Sequence, residues 1–114
     1  MAIERNITHH ISKDRCDRVC FILKTIGLGK IIKEQKCTDS QGRVSWQCLT
    51  DTGVLQVLDV TKKITITLYI ASQPKVSAMY EGKTPSWVFK IVRKNRKYAE
   101  IQNDPEKIKK YLNK

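Results

Sequence analysis

His9 and His10 are the only histidines in the chain, and they stand side by side just ahead of a helical pattern. A helix N-terminus disfavours the protonated imidazole and leaves a neutral ring suited to general-base work. The plainer reading of the pair is a polar surface loop. Further along, Thr65, Thr67 and Tyr69 alternate with Ile64, Ile66, Leu68 and Ile70. In an extended strand this alternation puts three hydroxyls on one face and four aliphatic side chains on the other. An exposed sheet face also carries threonine and tyrosine as a matter of course, so the hydroxyl row alone names no reaction. Four cysteines, Cys16, Cys20, Cys37 and Cys48, include no CxxC pair, and their spacing matches no common zinc module. They read as small buried hydrophobes, with a four-cysteine zinc site as the alternative. There is no phosphate-binding glycine loop, dinucleotide fingerprint, HExxH or EF-hand, and no paired carboxylates stand out. No cofactor or metal is implied.

Charge carries the strongest functional signal. Among 114 residues, 22 Lys and Arg face 11 Asp and Glu, a formal net charge of +11. Such an excess favours a polyanionic partner, nucleic acid before an acidic protein or membrane surface. The span from Lys83 to Lys114 holds ten of the basic residues and three acids, so it carries +7 of the total. Lys90, Arg93, Lys94, Arg96 and Lys97 are the densest part, with no acid between Lys90 and Lys97. An ordinary solvated helix face mixes signs, whereas a row of one sign can follow phosphates and release their counterions.

The elements that must position these residues are legible from spacing. Ser12 or Thr8 can cap a helix over 12–27, with Cys16, Val19, Cys20, Leu23 and Ile26 as its apolar stripe and Gly27-Leu28-Gly29 as its stop. Four strand patterns follow: Lys30 to Cys37, Val44 to Thr50, Val54 to Leu58 and Ile64 to Ile70. Their links are too short for parallel crossovers, so the strands pair antiparallel. One sheet face should be covered by the first helix, with Trp46, Leu55, Val57 and Ile66 largely buried. Pro74 opens a short helix to Glu81, Thr84-Pro85 opens a second with Trp87, Val88, Ile91 and Val92 packing, and Asp104-Pro105 opens a third. The fold expected is α+β: an N-terminal helix, a four-stranded antiparallel sheet, and two or three C-terminal helices in a single domain over 1–114. Residues 7–71 form its helix-and-sheet core and 74–114 a basic helical tail on or beside it. No apolar run reaches the roughly 20 residues of a membrane span, and the polar start lacks a signal-peptide core, so a cytoplasmic protein is expected.

The opening Ile7-Thr8-His9-His10, the spaced Arg15 and Arg18, and the last strand Ile66-Thr67-Leu68-Tyr69 resemble a family of small uncharacterised bacterial and phage proteins. That family opens with Thr-x-His-Ala followed by spaced arginines and closes its sheet with a Thr-Val-Tyr strand. It is grouped with the barnase, colicin and RelE-type ribonuclease toxins. The resemblance covers residues 7–71. It departs from the family pattern in that Ile11 replaces Ala and Arg15 falls one place late, where Asp14 holds the usual slot. What it implies is metal-independent RNA cleavage, with RNA and an antitoxin as partners. His10 or His9 would take the 2′-hydroxyl proton or donate one, Arg15 and Arg18 would hold the phosphate, and Thr67 and Tyr69 would position it. The competing reading is a non-catalytic binder or inhibitor, encoded by a phage or bacterium. It would lay its basic surface on nucleic acid or on an acidic protein.

Overall fold

The computed structural model describes residues 13–113, and their side chains from residue 17 onward. The chain runs α1 (Lys13–Thr25), β1 (Ile31–Thr38), β2 (Val44–Thr50), β3 (Val54–Asp59), β4 (Thr65–Ile70), α2 (Gln73–Met79), α3 (Ser86–Lys94), α4 (Arg96–Ile101) and α5 (Pro105–Leu112). The four strands pair antiparallel in chain order, β1-β2-β3-β4. This is the α+β architecture expected.

Local chemistry accounts for most boundaries. Gly27 adopts φ of +82°, the left-handed conformation that stops α1, and Gly29 turns the chain again at +72°. The Ser72 hydroxyl accepts from the Lys75 N–H ahead of Pro74, and the Asp104 carboxylate accepts from the Glu106 and Lys107 N–H groups ahead of α5. Two carboxylates fold the hairpin turns. Asp39 accepts from the Gln41 and Arg43 N–H groups, and Asp59 from those of Lys63 and Ile64. Hydrogen bonding, led by the Arg43 N–H at Asp39 and the Thr61 hydroxyl at Asp59, holds both below the ordinary carboxylate value.

Helices cover both sides of the sheet. On one side, Val54, Leu68 and Ile70 pack with Val19, Phe21 and Ile22 of α1 and Ile108 of α5. On the other, Leu49, Leu55 and Tyr69 pack with Val76 and Met79 of α2 and Val88 of α3. The sequence pointed to one covered face. Leu49 pairs with Leu55 and Leu55 with Tyr69, and this cross-strand row supplies the second.

Strict alternation fails in β4. Val57 pairs with Thr67 but Leu58 pairs with Thr65, so Ile66 is an extra residue and a bulge. The bulge reverses the side-chain phase beyond it. Thr65 turns inward, 1% exposed, and takes a hydrogen bond of 2.8 Å from the Gln56 amide, while Ile64 is 38% exposed. The expected core set is corrected accordingly. Leu55 is fully buried, but Trp46, Val57 and Ile66 are only partly so. They lie toward the β1–β2 and β3–β4 turns, away from the buried cross-strand row of Leu49, Leu55 and Tyr69.

Three details of the helices also differ from the spacing. In α1, Phe21 and Ile22 are buried and Cys20 is exposed, because the helix packs against both β4 and α5. The helix opening at Pro85 is interrupted at Asn95 and continues as α4. Trp87, assigned to its packing stripe, is instead 47% exposed.

Candidate functional site

β4 is an edge strand, so half of its backbone groups point away from the sheet. Arg18 reaches this edge from α1. Its Nε donates to the Leu68 carbonyl at 3.0 Å and its Nη2 to Thr67 Oγ1 at 2.7 Å. Tyr69 lies two residues from Thr67 and shares its face. Burial, together with the nearby Cys37 sulfur, raises the Tyr69 phenol above its ordinary value of 10.0, and Arg18 opposes the rise. At neutral pH the phenol therefore keeps its proton and can only donate or accept a hydrogen bond. Arg18, Thr67 and Tyr69 thus meet at one sheet edge. His9 and His10 lie outside the described residues. Arg15 falls within α1, with its side chain outside them.

The same edge holds a residue that sequence reasoning missed. The Gln102 amide donates to the Ile70 carbonyl at 3.1 Å and accepts from the Ile70 N–H at 2.6 Å, as a neighbouring strand would. Arg18 and Gln102 together close the exposed edge against pairing with another chain. A glutamine just past the end of a short helix carries no sequence signal for such a role.

The basic surface sits on α3 and α4. Lys90, Arg93, Lys94, Arg96 and Lys97 are all exposed. Among the described residues, none of the five has an acidic group within 4.0 Å, although Arg43 and Lys62 elsewhere have Asp39 and Glu34. The Lys97 ammonium lies 4.9 Å from the Tyr98 ring centroid. Lys90 and Ile91 come three and four residues after Trp87, and Lys94 four and three residues after them, so they line one face of α3.

That face borders a cleft of about 250 Å³ between the end of α1, the β2–β3 turn and α3. Ile26 and Ile91 form apolar walls, Asp51 and Thr52 offer polar groups, and Lys94 stands at the side. A buried polar joint sets its shape. The Asn95 amide, 5% exposed, donates to the Thr52 carbonyl at 2.7 Å, and the Thr52 hydroxyl donates to the Gly27 carbonyl at 2.8 Å. The Lys30 N–H donates to Asp51 Oδ1 at 3.0 Å. Gly53 completes the turn at φ +86°, where a Cβ would stand 2.5 Å from Asn95 Nδ2 and 2.8 Å from Ile91 Cγ2. Gly53→Ala should therefore cost about 2–3 kcal/mol through backbone strain and crowding. A thermal midpoint unchanged in this variant would contradict the packing described.

Among the described residues the cysteines do not converge. Cys37 and Cys48 lie on neighbouring strands, but they pair with Ser45 and Glu34, an odd offset that directs them to opposite faces. Cys20 is exposed on α1, and the Cys16 side chain lies outside the described residues. Among the described residues no three His, Cys, Asp or Glu side chains gather as metal ligands, and no helix is long and apolar enough to cross a membrane.

No family model, curated protein or solved structure matches the chain. The functional reading therefore comes from the residues themselves.

Proposed function

We propose that the protein binds nucleic acid through the α3–α4 surface. The observation that supports this most is the row of five exposed cations without acidic partners among the described residues. Cations held close together repel one another, and a polyanion relieves that repulsion while releasing counterions to solvent. An acidic protein groove would satisfy the same charges. The lysines and arginines spread along two successive helices suit a phosphate backbone equally well, and the exposed Trp87 beside them favours nucleic acid. Fluorescence anisotropy of a labelled oligonucleotide at low salt tests the proposal. Saturable binding that an unlabelled polyanion displaces is expected, and no binding at low salt would reject it.

A second reading, RNA cleavage, is supported by the contact of Arg18 with Thr67 beside Tyr69. An imidazole would remove the 2′-hydroxyl proton, and the oxygen would attack phosphorus in line. The 5′-oxygen would leave with a proton from a general acid, forming a 2′,3′-cyclic phosphate. Arg18 would counter the charge of the transition state. Incubating labelled RNA in chelator should then yield cyclic phosphate ends with the native chain and lose them in His9→Ala/His10→Ala. Intact RNA with the native protein rejects cleavage and leaves the binding proposal standing.

A further inference from the structure

We infer that the α3 face and the adjoining cleft form a site for single-stranded nucleic acid, in which one base stacks on Trp87 and a neighbouring unpaired base enters the cleft. The inference rests on the nucleic-acid reading above and names its substrate class. A helix buries its large aromatics where it can, and α3 does bury Val88. Leaving Trp87 47% exposed, one helical turn from Lys90 and two from Lys94, puts an aromatic side chain within a row of cations. Bases in a duplex are already stacked on one another and do not present their faces. A single strand can lay a base on the indole while its phosphates meet Lys90 and Lys94.

The cleft adds a second recognition element. Its volume of about 250 Å³ accommodates a planar ring between Ile26 and Ile91, one helical turn from Trp87 along α3. Asp51 lies in the wall, its Oδ1 held by the Lys30 N–H. A carboxylate repels phosphate and accepts N–H donors, so it orients the strand with the base inward and the backbone toward Lys94. Guanine offers two adjacent donors, N1–H and the N2 amine, which match the two oxygens of a carboxylate. Uracil and thymine offer one donor flanked by two carbonyls, which a carboxylate repels. The cleft should therefore favour guanine.

Two measurements test this, using the full chain carrying Trp46→Phe so that Trp87 is the only tryptophan. The first follows Trp87 fluorescence and the anisotropy of labelled twelve-nucleotide strands, as DNA, as RNA and as duplex DNA. Single strands of both sugars should quench the indole, and Trp87→Ala should weaken their binding about tenfold while leaving duplex binding unchanged. Trp87→Phe should recover much of the loss, since a phenyl ring still stacks. The second compares thymine strands carrying one guanine, one hypoxanthine or neither. Guanine should bind about tenfold tighter than thymine, hypoxanthine should fall between them, and Asp51→Asn should remove the preference. Equal binding of single strand and duplex without quenching overturns the inference and leaves the binding proposal intact. Discrimination confined to RNA overturns the base-only recognition argued here. An absence of guanine preference removes the cleft from the site. Failure to bind any nucleic acid at low salt overturns both the inference and the reading on which it rests.

Discussion

Phe21→Ala should lower the unfolding free energy by about 3–5 kcal/mol, the usual cost of emptying a well-packed aromatic site. Phe21 is 0% exposed and holds α1 against α4 and α5. Its ring meets Tyr98 edge-on at 6.0 Å between centroids and Tyr111 at 5.1 Å. Each such aromatic pair adds about 0.5–1.5 kcal/mol beyond burial. The cavity would open where α1, α4 and α5 meet, and each is also held by other contacts, α1 and α4 on β4 and α5 on α1, so it cannot close without disturbing them. Domains of this size have only about 5–15 kcal/mol in total, and the loss is therefore a large share of stability. Denaturant titration should show the midpoint falling, with Phe21→Leu in between, because leucine fills most of the space but loses both ring contacts. A midpoint shift equivalent to less than about 1 kcal/mol would contradict the placement of Phe21 at the centre of the helical layer.

How much of this was legible beforehand depends on which forces decide each residue. The stops and starts were readable because they are local: Gly27 in a left-handed conformation, Asp104 ahead of Pro105, Pro74 after a serine. The strand pairing followed from short links between alternating runs. The face of each strand was less secure. Alternation carries a phase only while the strand is regular, and the bulge at Ile66 reverses it between Thr67 and Thr65. In α1, the apolar run Val19-Cys20-Phe21-Ile22-Leu23 fits more than one helical phase, and only packing against two neighbours selects Phe21 and Ile22. Trp87 and Val88 are adjacent in sequence, and the tertiary docking of α3 decides which of them is covered.

The candidate sites divide along the same line. The exposed cations were legible because charge resists burial, and Lys90 to Lys97 needed no partner to be recognised as surface. The contact of Arg18 with Thr67, two residues singled out through a family resemblance, spans 49 residues and depends on α1 lying beside an edge strand. No local pattern encodes that distance. The cleft was not visible at all. It is shaped by Asn95, whose buried amide reaches a carbonyl 43 residues earlier, and asparagine on a polar stretch gives no hint of burial. The break between α3 and α4 at the same residue has no Gly or Pro to announce it.

Replacing Lys90, Arg93, Lys94 and Lys97 with glutamine carries the second large expectation. All four are exposed, and none has an acidic partner among the described residues, so their loss should leave the fold and its thermal midpoint nearly unchanged. Binding should respond strongly. Each neutralised phosphate releases condensed counterions and contributes about 0.7 to the slope of log affinity against log salt for a single strand. Removing all four cations together should then reduce the slope by about 3 units, with the greatest weakening at the lowest salt. Arg96 remains in the variant and should preserve weak residual binding.

The salt dependence of that affinity is the most direct measurement of the central claim. Anisotropy titrations of one labelled single strand, taken over a series of salt concentrations, should give a steep line for the native chain and a line flatter by about 3 units for the four-glutamine variant. Lines of equal slope and equal affinity, from two equally stable proteins, would place the partner surface somewhere other than α3 and α4 and contradict the account.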